Sequence, residues 1–173
     1  MRTGRGSQRW VVRKFKTSDP LALLDALNAD RVEYLVIGGA AAVLHGAPVA
    51  TQDLDIVHRV TARNIGRLHR CLERLHALIR EPGSRDLRPD RTLLQSGGQV
   101  RLITDFGPLD VLGRLHDGRE YADLVGHSKL VGDAQRRIRV IDLPTLIEIK
   151  AGTQRRSDRI VLPILRALLS RRG

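Results

Sequence analysis

Two short apolar segments constrain this chain more than any other feature of its sequence. The first, Glu33–Ile37, has a mostly apolar strand pattern that ends at Gly38-Gly39. The second, Asp53–Val57, alternates polar and apolar residues as a half-buried strand does. Because side chains on a strand alternate between its faces, Asp53 and Asp55 share one face while the residue between them turns to the core. The sequence therefore predicts a sheet that carries two adjacent carboxylates.

We expect Asp53 and Asp55 to bind a divalent cation. Two carboxylates on one face of a strand repel each other unless a cation neutralises them. Mg²⁺, or Mn²⁺ in its place, prefers oxygen ligands and shares its coordination sphere with phosphate oxygens. Gly38 and Gly39 allow the backbone to approach a ligand, and the helix predicted after them offers free N–H groups to phosphate. The two segments together predict a metal site beside a phosphate-binding turn.

A third carboxylate would complete such a site. Asp110 lies in a similar strand context, within Pro108–Leu112, and Asp105 is the competing candidate. We favour Asp110, both as a metal ligand and as the base that takes a proton from an attacking hydroxyl. Two metal ions held by these carboxylates could activate the hydroxyl and stabilise a leaving pyrophosphate.

The charge of the chain favours a polyanionic partner. The 173 residues fit one domain, and 30 Lys and Arg residues against 19 Asp and Glu residues give a net charge of +11. A field of that sign attracts nucleic acid. Residues 1–18 are predicted to form a basic N-terminal arm that either contacts RNA phosphates or is simply solvated. An Arg-rich proteome or a solubilising tail would explain the same charge.

Other features of the composition exclude several classes of protein. Aromatic residues make up only 3% of the chain, so the core must be aliphatic. The single cysteine, Cys71, excludes an internal disulfide and a Cys-based zinc cluster, and we expect it to pack as a buried thiol. No apolar run reaches transmembrane length, and the N-terminus has no apolar signal segment. We therefore expect a soluble, cytoplasmic protein with no membrane partner.

The remaining patterns place helices and strands around the two segments. Ser18-Asp19-Pro20 predicts one helix start, and Thr61 predicts the cap of a helix whose apolar stripe is Ile65, Leu68, Leu72, Leu75 and Ile79. Later strands are predicted at Thr92–Gln95, Gln99–Thr104, Leu109–Leu112 and Arg137–Ile141. Gly97-Gly98 is predicted as a hairpin turn between the first two of these. Two C-terminal helices are predicted over Leu143–Lys150 and from Ser157 towards Leu169, the second kinked or split at Pro163.

The order of these motifs resembles the signature of the polymerase-beta-type nucleotidyltransferase superfamily. That signature is a Gly-Gly or Gly-Ser, a short helix and then Asp-x-Asp, and it is matched here by Tyr34–Gly39 and Thr51–Ile56. Gly39–Gly46 resembles small bacterial members, as do the tail segments Arg139–Lys150 and Arg156–Asp158. These features are similar to AbiEii-type and MenT-type toxins of toxin–antitoxin systems, over about residues 20–169.

The resemblance implies an α/β (α+β) fold with a mixed central sheet flanked by helices. It places a nucleotidyltransferase core at 19–142 and a C-terminal helical portion, packed on that core, at 143–173. It also implies that Asp53 and Asp55 bind metal, and that Gly38, Gly39 and Thr51 hold the triphosphate of an NTP.

The tail of the resemblance adds further site residues. Lys150 and Asp158 match tail positions of this branch and are expected to belong to the catalytic machinery. Lys150 is also interpretable directly, either as a cation that meets a phosphate or as a cation that ends a helix. A basic cluster beside the expected site is predicted to contact phosphate or RNA, the alternative being a solvated helix start: Arg155, Arg156 and Arg159.

Two departures and one ambiguous residue qualify the match. Ala40 stands where many relatives have Ser, so one hydroxyl contact to phosphate is missing. Pro163 interrupts the last helix, so the C-terminal packing is expected to differ from that of relatives. His45 lies between the Gly pair and the Asp pair, and is either a site residue or the hydrogen-bond partner of a nearby loop.

We therefore predict a metal-dependent enzyme that transfers a nucleotide from an NTP to an acceptor. The acceptor predicted first is the 3′ end of tRNA, whose modification would block translation, with a cognate antitoxin that binds the enzyme or modifies its site. The charge supports an RNA acceptor, whereas the toxin role rests on the resemblance. The alternatives are a transferase that modifies proteins by AMPylation and an inactive module that binds nucleic acid or a partner.

Overall fold

A mixed β-sheet forms the centre of the fold, and its middle strands are the segments with the strongest apolar patterns. The computed structural model describes residues 18–81, 86–133, 136–153 and 155–171. Within these residues the sheet has seven strands, in the order β3-β4-β5-β2-β1-β7-β6. Their bounds are β1 Tyr34–Ile37, β2 Leu54–His58, β3 Leu78–Ile79, β4 Gln99–Thr104, β5 Gly107–Leu112, β6 Ser128–Gly132 and β7 Arg137–Ile141.

The pairing of the central strands determines where the polar residues meet. Strand β2 pairs antiparallel with β1 and parallel with β5, and β1 pairs parallel with β7. The outer pairs, β3–β4, β4–β5 and β6–β7, are antiparallel. All four residues of β1 are buried, so both faces of the sheet are covered at this point. The mixed sheet predicted from the sequence is confirmed.

The helices form two packed groups around the sheet. Their bounds are α1 Pro20–Ala29, α2 Gly38–Leu44, α3 Ala62–Arg74, α4 Arg91–Gln95, α5 Tyr121–Leu124, α6 Leu143–Ala151 and α7 Arg156–Ser170. One group joins α3 to α1 and α4, and the other joins α6 to α2 and α7. The predicted helix starts hold, because Asp19 accepts a hydrogen bond from Ala22 N and Thr61 accepts one from Asn64 N. None of the described helices is long and apolar enough to cross a membrane.

The core is aliphatic, as the composition predicts. Leu, Ile, Val and Ala from both helix groups meet the central strands, and the largest fully buried side chains include Leu23, Leu27, Leu35, Leu54, Ile56, Leu68, Leu109 and Ile141. Cys71 is fully buried among them, so its predicted packing role is confirmed. This packing fixes the polar ends of β1, β2 and β5 in place.

Two predicted elements of the middle segment are wrong. Thr92–Gln95 is not a strand, because Arg91–Gln95 forms the short helix α4, whose first turn is capped by Asp90. Gly97-Gly98 consequently links α4 to β4 and is not a hairpin turn. The hairpin of this region joins β4 to β5 through Asp105-Phe106.

Other differences lie at helix ends and at the sheet edge. Helix α3 ends at Arg74, and His76 takes a left-handed φ of 49°, so Ile79 belongs to β3 and not to the apolar stripe of α3. Helix α7 continues through Pro163 without a split. The edge strand β6 and the short helix α5 are elements that the sequence patterns did not predict. The predicted basic arm falls on residues 1–18, of which 1–17 lie outside the described residues.

Candidate active site

Most of the predicted site residues line a single cleft at the ends of the central strands. The cleft has a volume of about 920 Å³. It is lined by nine of the sequence-predicted residues, namely Gly38, Gly39, Thr51, Asp53, Asp55, Asp110, Lys150, Arg155 and Asp158. Its walls come from β1, β2 and β5 on one side and from α6 and α7 on the other.

The pairing of β2 with β5 brings the carboxylates together. Asp55 on β2 stands opposite Asp110 on β5 in the parallel ladder, and opposite Ile37 on β1 in the antiparallel one. Asp53 lies one residue before β2, so it belongs to the approach to the strand and not to the strand itself. We call Asp53, Asp55 and Asp110 the carboxylate trio.

Asp55 has the least favourable electrostatic surroundings of the three carboxylates. Burial raises the pKa of its carboxyl to about 6, and the negative charges of Asp110 and Asp53 add to this shift. Lys150 and Arg155 act in the opposite direction. Among the described residues, no side chain or backbone group donates a hydrogen bond to this carboxylate. An unsatisfied, largely buried carboxylate of this kind is stabilised by an added cation.

Asp110 is buried but has polar partners. Gln99 Nε2 donates to its Oδ2 at 2.9 Å, and Arg80 Nη2 donates to its Oδ1 at 3.2 Å. Arg101 Nε lies 4.0 Å from Oδ2. Burial raises the pKa of Asp110, although Arg80 and Gln99 oppose the shift. A carboxylate with a raised pKa is suited to accept a proton from a hydroxyl.

The two glycines are required by close contacts at the floor of the cleft. Gly38 has a left-handed φ of 65°, and a side-chain carbon there would overlap the carboxylate of Asp55. A side-chain carbon on Gly39 would lie only 2.7 Å from Thr51 Oγ1. Helix α2 begins at this pair and has no side-chain cap, so its first N–H groups are not used by a capping residue.

Lys150 and Asp158 form a buried ion pair in the opposite wall. Lys150 Nζ donates to Asp158 Oδ1 at 2.6 Å, and Thr153 Oγ1 donates to the other oxygen. Burial works against ionisation of Asp158, but the hydrogen bonds from Lys150 and Thr153 outweigh it and lower its pKa. Asp158 therefore holds Lys150, whose charge reaches the trio.

The basic residues separate into those inside the cleft and those outside it. Arg155 lines the cleft, whereas Arg156 and Arg159 are exposed and do not line it. Two further arginines, Arg101 and Arg114, also line the cleft. The sequence patterns did not single them out.

Two residues that the sequence left open lie away from the cleft. His45 Nε2 donates to Ile141 O at 2.7 Å, and the ring is buried, which matches the structural alternative for this residue. Asp105 lies in the β4–β5 turn, where its carboxylate is 2.6 Å from His76 Nδ1. Asp110, not Asp105, stands beside Asp55.

The trio fits a divalent cation by the chemistry of its donors. It offers carboxylate oxygens from three residues, one of them with no hydrogen-bond donor, in a cleft open to solvent. Among the described residues, however, no three His, Cys, Asp or Glu side chains are already arranged around one ion position. The positive group between Asp53 and Asp110 is instead the guanidinium of Arg80.

Sequence reasoning also missed the two residues that donate hydrogen bonds to Asp110, namely Arg80 and Gln99. Arg80 follows β3 in what reads as the end of a helical stripe, and nothing in its local pattern marks it as a site residue. Gln99 was placed on a strand, and the alternation of β4 puts Gln99 and Arg101 on one face. If β4 had been predicted to pair with the strand that carries Asp110, this shared face would have placed Gln99 beside the site.

The comparisons with known proteins give the fold. No protein-family model and no curated protein matches the chain. A Thermotoga maritima structure described as a nucleotidyltransferase matches with a TM-score of 0.51 and 21% identity, over 88% of this chain and 91% of that one. The lincosamide adenylyltransferase LnuA, with lincomycin bound, matches with a TM-score of 0.61 and 14% identity, over 88% and 99%. ANT(2")-Ia, in complex with adenylyl-2"-tobramycin, matches with a TM-score of 0.51 and 15% identity, over 87% and 95%.

The protein therefore has the nucleotidyltransferase fold. The coverage of both partners is high, so the similarity spans the sheet and the C-terminal helices together. At these identities the comparisons establish the architecture, and the chemistry depends on the cleft itself.

Proposed function

We propose that this protein is a metal-dependent nucleotidyltransferase. The observation that carries the proposal is the carboxylate trio, with Asp55 opposite Asp110 across β2 and β5 and Gly38 packed against Asp55. Asp53, Asp55 and Asp110 would hold Mg²⁺ or Mn²⁺, which when bound supplies charge neutralisation for the triphosphate and the leaving group. The backbone of Gly38 and Gly39, with Thr51 beside them, would hold the triphosphate of the NTP.

The proposed reaction is attack by an acceptor hydroxyl on the α-phosphorus of the NTP. The hydroxyl oxygen forms the new P–O bond, the bond to the β-phosphate breaks, and pyrophosphate leaves. Asp110 accepts the hydroxyl proton, a role that its raised pKa supports. Lys150, held by Asp158, supplies positive charge on the far wall, where the phosphates of the NTP would extend.

For the acceptor we propose RNA, with the 3′ end of tRNA as the specific target. Among the described residues, the basic side chains that line the cleft outnumber the carboxylates there, the two sets being Arg80, Arg101, Arg114, Lys150 and Arg155 against Asp53, Asp55, Asp110 and Asp158. The net charge of +11 acts in the same direction. Addition of nucleotides to tRNA would stop translation. We extend the proposal to a toxin role, with an antitoxin as partner, because the sequence resembles AbiEii-type and MenT-type toxins.

A small antibiotic is the second candidate acceptor, because LnuA and ANT(2")-Ia share the fold. The exposed arginines of the cleft speak against an aminoglycoside, whose ammonium groups they would repel. Lincomycin carries less charge, so it remains a useful competing substrate in an assay.

The test is incubation of the purified protein with each α-³²P-labelled NTP, Mg²⁺ and total tRNA, with Asp55→Asn as the matched control. Label on tRNA that depends on Asp55 supports the proposal, and sequencing of tRNA 3′ ends identifies the addition. Label on protein would support AMPylation instead, and label on lincomycin or tobramycin an antibiotic transferase. Absence of label on every acceptor, with wild type and Asp55→Asn behaving alike in cells, would contradict an enzyme.

A further inference from the structure

Arg80 lies between two carboxylates of the trio. Its backbone N–H donates to Arg101 O at 2.8 Å, which anchors the residue at the end of β3. Its side chain crosses towards the trio, where a single nitrogen, Nη2, lies 3.1 Å from Asp53 Oδ2 and 3.2 Å from Asp110 Oδ1. One cationic atom thus bridges two of the three carboxylates.

A divalent cation bound by the trio would compete with this bridge. Such an ion needs carboxylate oxygens at about 2.0–2.6 Å, whereas the guanidinium is a permanent cation that the protein does not deprotonate. Arg80 already occupies one oxygen each of Asp53 and Asp110, so a metal bound through these oxygens would compete with it. Two cations sharing those oxygens would repel each other, so one must withdraw.

The side chain of Arg80 has room to move within the cleft. About a third of its side chain is exposed (36%), and the cleft that it enters is the one lined by Gly38, Gly39 and Thr51. Guanidinium groups bind phosphate oxygens as readily as carboxylates, often with two parallel hydrogen bonds. An anchored backbone and a partly free side chain allow the head group to exchange one anion for the other.

We propose that Arg80 is an internal cation of the metal-free site, which the metal displaces and which then binds the phosphates of the nucleotide. The phosphate part rests on the proposed function, whereas the competition with metal does not. In this proposal Arg80 couples metal binding to nucleotide binding, because the same guanidinium leaves the carboxylates and contacts the phosphates. The other cleft arginines lack this geometry, since Arg101 reaches Asp110 only at 4.0 Å and Arg114 pairs with Glu120 at 3.7 Å.

The first experiment measures Mn²⁺ binding to the metal-free protein by electron paramagnetic resonance, with no nucleotide present. Arg80→Gln is expected to bind Mn²⁺ roughly tenfold more tightly than wild type, because the competing charge in direct contact with the ligands is gone. Arg101→Gln and Arg114→Gln remove the same charge from the cleft without breaking the bridge, and should change the affinity by less than about threefold. Mn²⁺ affinity of Arg80→Gln equal to that of Arg101→Gln, or weaker than wild type, overturns the proposal.

The second experiment measures binding of inorganic tripolyphosphate in the presence of saturating Mg²⁺, which needs no knowledge of the preferred base. Arg80→Gln should weaken this binding about tenfold, a change opposite in sign to the Mn²⁺ result. A merely structural role would weaken both. Tighter Mn²⁺ binding with unchanged tripolyphosphate binding would overturn the phosphate half alone.

Arg80→Lys is the control for a folding defect in Arg80→Gln. Lysine keeps the charge, so the folded protein should bind Mn²⁺ within about threefold of wild type, and circular dichroism checks the fold of each variant. Mn²⁺ binding by Arg80→Lys as tight as that of Arg80→Gln would contradict competition by charge. Failure of the proposed function appears separately, as wild-type protein that exchanges cations as described yet transfers no label from any NTP.

Discussion

Asp55 and Asp110 face each other across the parallel pair β2–β5, although they are far apart in the chain. Both are largely buried, and burial raises the pKa of each. The fold thus holds two carboxylates where burial disfavours their charged form.

Replacing Asp55 with Asn should stabilise the metal-free protein. The pKa of Asp55 is raised from 3.8 to about 6, so the folded state holds its proton more tightly than the unfolded state. This contribution to stability is present below pH 4 and is lost as the pH rises through 6. Urea unfolding in EDTA should show Asp55→Asn gaining up to about 3 kcal/mol on wild type between pH 4 and pH 7.

The matched control for this effect is Asp53→Asn, whose side chain is more exposed (38%). Because Asp53 also accepts a hydrogen bond from Arg80, Asp53→Asn should show no such gain in unfolding free energy. Equal stability of Asp55→Asn and wild type at both pH values would mean that the carboxylate of Asp55 is solvated in the folded protein.

Gly38 should tolerate no side chain. Gly38→Ala combines a left-handed φ with overlap on the Asp55 carboxylate, so we expect a loss of more than about 2 kcal/mol in unfolding free energy, together with loss of Mn²⁺ binding. Gly46→Ala has a left-handed φ of 88° but no atom within 4 Å, so it should lose only about 1–2 kcal/mol and bind Mn²⁺ normally. Similar Mn²⁺ affinities in the two variants would show that strain alone explains Gly38.

Removing one charge of the buried Lys150–Asp158 pair should lower the unfolding free energy more than removing both charges. Lys150→Met leaves the Asp158 carboxylate buried without its cation, which should lower the unfolding free energy by about 3–5 kcal/mol. The double variant Lys150→Met with Asp158→Leu should recover part of that loss. The comparison is made by urea unfolding at pH 7, and additive losses would contradict direct coupling.

The same pair gives a pH dependence of the opposite sign to that of Asp55. The pKa of Asp158 is lowered from 3.8, so its stabilising contribution is full above that value and disappears as the pH falls through the lowered pKa. Asp158→Asn should therefore be less stable than wild type at pH 7. The difference should shrink in unfolding experiments carried out well below pH 4.

If RNA is the acceptor, the cleft arginines should contribute to a salt-dependent affinity. Arg101→Gln, Arg114→Gln and Arg155→Gln should each weaken tRNA binding and reduce the slope of log K against log salt by about 1. Fluorescence anisotropy over a salt series measures both. Arg166→Gln, an exposed change on α7 outside the cleft, should leave the slope nearly unchanged, and an equal effect there would indicate a diffuse field in place of a site.

The central strands were predictable because their local and global signals agree. β1 carries an apolar run that ends at Gly38, and β2 and β7 carry largely alternating patterns that fit a buried sheet. Thr92–Gln95 misled because its two leucines suit a strand as well as a helix, and the cap at Asp90 was the deciding signal. Edge strand β6 was missed because most of its residues are exposed, with no alternation of apolar and polar residues to detect.

The site was predictable only as far as spacing along the chain reveals it. Asp53, Asp55, Gly38 and Gly39 belong to two neighbouring segments, so their meeting follows from strand pairing. Arg80 reaches the trio through the turn after α3 and the β3–β4 pairing, which no periodicity encodes. Its role depends on tertiary geometry alone.

The parallel pairing of β2 with β5, and the wall supplied by α6, also set the order in which the site can arise during synthesis. Asp53 and Asp55 are synthesised before Asp110, which lies on the second strand of the β4–β5 hairpin, and Lys150 is synthesised later still. An amino-terminal fragment that stops before α6 therefore carries the wall formed by β1, β2 and β5 but lacks the wall formed by α6 and α7. A growing chain carries the Gly-Gly and Asp-x-Asp segments long before the cleft around them can be complete, because the cleft also requires α6 and α7.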